Sequence, residues 1–396
     1  MSRYTLLDGL RGYFLVFMMI NHLDFIGGAV IAKFNHAELG YVQDAQGFVF
    51  LSGLIVGLYY ARLYAKGRSA EAAAKIRRRA GELYRYAVAI LVSILLIALL
   101  MPETRLYWGT RLGAFYDAPA STALSAMLLV FQPTFMDILP QYILYLLVSP
   151  LLIGLVVAGR WRTVAVGSVA LWLAVQFGMH LPLLEALGHT VQTVSPDSPL
   201  RGHFNPLAWQ IVFVGGLLIG AAFSEGRFEL RRWFPAERGP VLLAAGTVLF
   251  FALWRFGFDY GVVPAEMGER FWAYASRGDF GLVYLANFVA LAYLVAWLLI
   301  AGHEAANRWV RGIAAILERV FSLPFLVLLG RHSLMVYTFH VFVAYGAKAL
   351  EWRHGGFTEW EKALVVAVAV ASLALPALFQ EWRSQPARAM RSQRTA

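Results

Sequence analysis

Cysteine is absent from the 396-residue chain. Disulfide frameworks, thiolate metal sites and an acyl-cysteine intermediate are therefore excluded. Charge is scarce as well. Asp, Glu, Lys and Arg together make up 15% of the residues, against about 25% in soluble domains. With 59% hydrophobic residues and a mean hydropathy of +0.60, this excludes a soluble domain with a single anchor. The P-loop lysine motif, the GxSxG elbow and HExxH do not occur, which removes three common hydrolytic chemistries. No paired carboxylates inside apolar runs suggest an ion pathway, and no internal repeat, low-complexity segment or barrel-type alternation is visible.

What the chain does have is long apolar runs, and a membrane span needs about 20 such residues. The expected fold is all-α and polytopic, with about ten spans near 9–31, 44–65, 86–102, 138–159, 163–182, 207–224, 240–257, 280–301, 328–350 and 361–380. The net charge of +10 sits in short segments between these runs, as topology signals do, so no nucleic-acid partner is expected. The segment 66–85 holds Lys66, Arg68, Lys75, Arg77, Arg78, Arg79 and Arg85 and reads as a cytoplasmic loop. Both termini are then cytoplasmic. A single transmembrane domain over 1–382 is followed by a basic cytoplasmic tail, 383–396. The first apolar run is too long for a signal peptide, and no small-residue cleavage site follows it. The run 121–138, "STALSAMLLVFQPTFMDI", is short for a span and reads as a re-entrant or interfacial helix.

Polar residues inside apolar runs carry the functional expectations, because such groups are costly unless they face a cavity or a partner. In "LDGLRGYFLVFMMINHL", Arg11 and His22 are eleven residues apart. That is about three helical turns, so both lie on one face, roughly 16 Å apart. Each alone also fits a blander role, a topology arginine and an interhelical hydrogen bond; the shared face suits one elongated ligand touching both. Asp44, at the start of the next span, is the expected carboxylate partner of His22, with Asp24 and Glu38 as rivals. Gly47, Gly53 and Gly57 have spacing that suits close helix packing. Arg77, Arg78 and Arg79 fit either anionic lipid or a cytoplasmic phosphate cradle. In "LLGRHSLMVYTFHVF", Ser333, Tyr337 and His340 share one helical face, with Arg331 and His332 at its inner end. Gln132, Asp137 and Gln141, together with Asp197, Arg201 and His203, are outer-side candidates for sugar hydroxyls, and Arg201 or His203 for an acyl carboxylate.

The blocks "LDGLRGYFLVFMMINHL", "FVFLSGLIVGL" and "GRHSLMVYTFHVF", in this order, resemble the OpgC family. These are integral-membrane O-acyltransferases that succinylate osmoregulated periplasmic glucans, within a superfamily marked by arginine, ten residues, then histidine in the first helix. The resemblance implies an inner-membrane protein of bacteria with no permanently bound cofactor, using acyl-CoA, succinyl-CoA for this branch, as co-substrate. It implies a periplasmic glucan hydroxyl as acceptor, His22 and Asp44 as catalytic residues, and donor phosphates near Arg11, the basic loop, Arg331 and His332. Asn21, Ser333, Tyr337, His340, Gln132 and Asp137 would line the cavity or meet the acceptor, the first three as candidates for oxyanion stabilisation. Besides the bilayer, a second copy of the chain is an open partner. Acetyl transfer to another surface polysaccharide, and solute transport without chemistry, are the competing readings.

Overall fold

The computed structural model describes residues 3–129, 132–186, 204–226, 229–235 and 238–395. Among these residues the regular elements are all helices, and no strand occurs. Seven helices are long and apolar enough to cross a membrane: Asp44–Ala65, Ser69–Leu100, Ile138–Val157, Pro206–Ser224, Gly239–Asp259, Leu282–Ile300 and Glu359–Ser384. An eighth arises if the pair Arg308–Phe321 and Pro324–Arg331, bent by 53°, is one broken span. Large apolar side chains such as Leu100, Leu243, Leu253 and Trp360 are left exposed on these helices. Lipid, rather than water, is the solvent that favours such a surface.

Three expected spans do not meet this description. The helix Arg3–His22 carries Asp8, Arg11, Asn21 and His22, and these dilute its apolar character. The run 163–182 contains a helix of only 16 residues, Trp161–Gln176, about 24 Å long at 1.5 Å per residue. The run 328–350 is divided at His332 into Pro324–Arg331 and Ser333–His354. The basic segment 66–85 also differs from expectation. It is not a loop but the first half of a 32-residue helix, Ser69–Leu100. Ala, Glu, Lys and Arg are strong helix formers. Arg68 and Lys75 both pair with Glu71, at 2.6 and 2.9 Å, and Arg79 pairs with Glu82 at 2.7 Å, which staples these turns.

The chain forms two compact units, Met1–Phe34 with Ala315–Ala396, and Asn35–Ala314. The larger unit is organised around the crossing of Asp44–Ala65 with Pro206–Ser224. A methyl group on Gly53 would lie 2.0 Å from the Phe213 carbonyl oxygen, and one on Gly220 would lie 2.1 Å from that of Leu54. Only hydrogen fits at such contacts, so the backbones touch. The expected packing role of Gly53 and Gly57 is met at this crossing. The run 121–138 begins within the helix Pro119–Met127, which follows Thr104–Asp117 after a break at Ala118.

Candidate active site

The smaller unit brings the "LDGLRG" and "GRHS" blocks together. A methyl group on Gly9 would meet the Phe321 carbonyl oxygen at 1.6 Å, and one on Gly12 would meet that of Leu326 at 1.9 Å. Conversely, a methyl on Gly330 would stand 1.8 Å from the Asp8 carbonyl oxygen. Glycine at these three positions allows Pro324–Arg331 to lie backbone to backbone on the first helix. His332 then leaves the helical conformation, at φ −109° and ψ 27°. Its ring is held outside the break by Gln380 at 3.0 Å and Glu381 at 3.7 Å. Ser333 thereby becomes the first residue of a new helix, and its buried hydroxyl accepts a 2.6 Å hydrogen bond from Arg11 Nη2.

Further along the same two helices, His22 Nδ1 lies 2.8 Å from His340 Nε2. Arg11 meets Ser333 and His22 meets His340, so the two helices run in the same direction. Eleven residues on one helix and seven on the other correspond to roughly 16 and 10 Å of rise. The long arginine side chain spans the difference. Its guanidinium therefore sits roughly 10 Å below the histidine pair, not the full three turns that separate the two backbones.

The pair has a definite tautomer. His340 Nδ1 faces the carbonyl oxygen of Tyr337, which can only accept, so this nitrogen carries the proton. In the neutral ring Nε2 is then an acceptor, and it receives the proton on His22 Nδ1. The other ring nitrogen of His22, Nε2, is then the acceptor nitrogen of that ring. Hydrogen positions assigned from a bonding network in this way fix which atom can act as base. His340 is 1% exposed, whereas His22 is half-buried, so the deeper ring orients the more accessible one. Tyr337, also 1% exposed, packs with its ring tilted against His340, 4.8 Å between centroids. Asn21 adjoins His22 and is half-buried. Arg331 is exposed and stands 3.6 Å from Asp8 at the opposite end.

Asp44 belongs to the larger unit. Its buried carboxylate lies 3.3 Å from His36 Nε2. Within the smaller unit, the partner of His22 Nδ1 is His340. Burial drives the His36 pKa from 6.5 down to about 4, and the ring is neutral at pH 7. The Asp24 backbone carbonyl oxygen accepts from Lys348 at 2.9 Å, and Glu38 pairs with Arg255 at 3.2 Å. Arg77 and Arg78 are exposed on the basic helix. Gln132 donates to the Ala126 carbonyl oxygen at 2.9 Å. Asp137 and Asp44 both act on Arg277, whose pKa is lowered by burial and raised in turn by Tyr284, Asp137 and Asp44. The Arg277 guanidinium also rests 5.3 Å from the Phe204 ring. Arg201, His203 and Asp197 lie outside the described residues.

Arg277 was not legible in the sequence, where it is one loop arginine among several. Lys348, Glu351 and Lys362 also escaped notice, although two opposite charges three residues apart in an apolar run are a usable signal. No curated protein and no solved structure matches the chain. The model of one family, described as OpgC protein, matches residues 3–385. That match takes in the first helix, the larger unit and the Ser333–His354 helix, and the chain belongs to the OpgC family.

Proposed function

We propose that this membrane protein transfers a succinyl group from cytoplasmic acyl-CoA to a hydroxyl of a periplasmic glucan, with His22 as general base. The single observation that carries the reading is the 2.8 Å His22–His340 pair, which orients the His22 imidazole, in a chain of the OpgC family. Among membrane-embedded groups, a half-buried imidazole with an assigned acceptor nitrogen is suited to taking a proton from an alcohol. The glucan hydroxyl gives its proton to His22 Nε2 while its oxygen attacks the thioester carbonyl. The C–O bond forms, the C–S bond breaks, and the departing thiolate takes the proton from the imidazolium. Glucan ester and free CoA thiol are the products, and direct transfer needs no acyl-enzyme. His340 Nε2 accepts from the imidazolium throughout, which favours the protonated state when it is needed.

Arg11, supported by Ser333, is assigned to the donor, with its guanidinium below the base. An extended CoA arm exceeds roughly 10 Å, so the phosphates lie beyond Arg11 toward the cytoplasmic side, where Arg331 is exposed. Ser333 sits about two turns from His340, too far to stabilise an oxyanion beside His22, which leaves Tyr337 and Asn21 for that role. Both termini are assigned to the cytoplasmic side in this orientation. Within the larger unit, Asp44, Asp137 and Arg277 form a charged cluster whose planar polar groups suit sugar hydroxyls.

The test is mass spectrometry of cell-envelope glucans from cells with the wild-type chain, with His22→Ala, and without the protein. Succinyl additions present only with the wild-type chain are expected. Acetyl additions would replace the donor assignment. Unchanged acylation by His22→Ala would remove the base. Uptake of labelled sugar into proteoliposomes without any acyl transfer would favour transport.

A further inference from the structure

Directly after His22, residues 24–30 are gripped twice in the same way. Lys348 Nζ donates to the Asp24 carbonyl oxygen at 2.9 Å, and Glu351 Oε1 accepts from the Ile26 amide at 2.8 Å. The two side chains pair with each other at 3.1 Å. Four residues on, Lys362 Nζ donates to the Gly28 carbonyl oxygen at 2.6 Å, and Glu359 Oε2 accepts from the Val30 amide at 2.9 Å. These two side chains also pair, at 2.9 Å. In each case a Lys–Glu pair spaced i,i+3 on a helix takes the carbonyl of residue n and the amide of residue n+2. The first pair comes from Ser333–His354, the helix that carries His340, and the second from Glu359–Ser372.

The repeated arrangement has a physical demand behind it. The chain leaves the first helix through Asp24 at φ 44°, then Gly27 at φ 75° and Gly28 at φ 73°. Asp24 is a non-glycine residue in the left-handed region, a conformation costing of order 1 kcal/mol that persists only when its surroundings hold it. Glu351 is fully buried. Placing a carboxylate there is expensive unless it is paired and hydrogen-bonded, and its two oxygens take up the Ile26 amide and the Lys348 ammonium. Apolar packing would hold a loop with less desolvation. A charged clasp instead specifies individual backbone atoms, two and four residues after the base.

We infer that Lys348 and Glu351 are positioning residues for His22: the clasp on Asp24 and Ile26 fixes the end of the first helix relative to the helix of His340, and so holds the imidazole pair in register. The inference rests on the reading of His22 as base. The second clasp, Glu359 with Lys362, closes the same loop further out and acts on the base only weakly. A displacement of about 1 Å at a reacting group can cost on the order of 100-fold in rate.

The experiment compares four variants in proteoliposomes with succinyl-CoA and purified glucan: Lys348→Met/Glu351→Leu, Glu359→Leu/Lys362→Met, Glu351→Gln and His22→Ala. The double substitutions remove both charges at once, so neither leaves an uncompensated buried ion. Hydrogen exchange at residues 23–30 is measured alongside and does not depend on activity. For the first double variant, faster exchange at Ile26 is expected with a kcat about 10- to 100-fold lower and a KM for succinyl-CoA within about twofold of wild type. Glu351→Gln keeps an acceptor for the Ile26 amide and is expected to lose only about three- to tenfold in kcat. The second double variant is expected to lose less than about fivefold, with faster exchange at Val30. Wild-type kcat in the first double variant or in Glu351→Gln, despite faster exchange at Ile26, overturns the positioning role. So do equal losses from both clasps. Full transfer by His22→Ala overturns the base and the clasp together, whereas an inactive His22→Ala beside fully active clasp variants overturns the clasp alone.

Discussion

Replacing His340 with phenylalanine keeps a ring of similar volume in the buried site but removes the acceptor for His22 Nδ1–H, 2.8 Å away. Two losses follow. Without an acceptor at Nδ1, this bond no longer selects the tautomer with its proton on Nδ1 and its acceptor at Nε2. The bond is also worth more when His22 is an imidazolium than when it is neutral, since charge-assisted hydrogen bonds are roughly twice as strong as neutral ones. A buried hydrogen bond lost at one partner costs about 1–3 kcal/mol. If roughly 1.5–3 kcal/mol of that falls on the transition state, kcat drops about 10- to 150-fold. The KM for acyl-CoA should hardly move, because the donor end at Arg11 and Ser333 is untouched. His340→Gln supplies an amide oxygen near the position of Nε2 and should recover most of the loss. Initial rates of transfer from radiolabelled succinyl-CoA to glucan in proteoliposomes measure both constants. A His340→Phe variant within twofold of wild-type kcat, alongside an inactive His22→Ala, would refute the pair as the basis of the chemistry.

Other expectations follow from the same contacts. Arg11→Ala should raise the KM for acyl-CoA more than it lowers kcat, and Ser333→Ala should do the same more weakly, by roughly the worth of one hydrogen bond, about 1 kcal/mol; donor titrations at saturating glucan separate the two. Gly12→Ala would place a methyl 1.9 Å from the Leu326 carbonyl oxygen and should cost about 1–3 kcal/mol by overpacking, seen as a lower melting temperature in detergent and a weaker donor affinity together. His36 is kept neutral by burial, with a pKa near 4 against 6.5 in the unfolded chain. The unfolded state therefore binds the extra proton first, so stability falls as the pH drops from about 6.5 to 4, by up to roughly 3 kcal/mol. His36→Gln should flatten that slope in urea titrations run across the window. Reporter fusions at the C-terminus and after residue 66 should both report the cytoplasm.

Much of the site was legible because helical geometry makes sequence spacing into spatial spacing. Arg11 and His22 on one face, and Ser333, Tyr337 and His340 on another, were readable from the 3.6-residue period alone. The glycines of "LDGLRG" and "GRHS" were visible as blocks, yet their purpose was not, since each needs a backbone from a segment more than 300 residues away. The break at His332 was hidden in an apolar run for the same reason: the ring leaves the helix to meet Gln380 and Glu381. The basic helix was missed because charge density suggested a loop, although its alanine, lysine, glutamate and arginine content favoured a helix.

Composition by itself determined the membrane and the all-helical class. An apolar chain without cysteine has few other ways to satisfy its backbone in lipid. Spacing determined which polar residues share a face, because that is a property of one helix. Which faces meet was decided only by tertiary structure. Asp44, at the start of the next long helix, lies against His36, while His22 took His340, 318 residues further on. A hydrogen bond is a contact of about 3 Å, and no periodicity within a single helix carries information about which second helix will come that close.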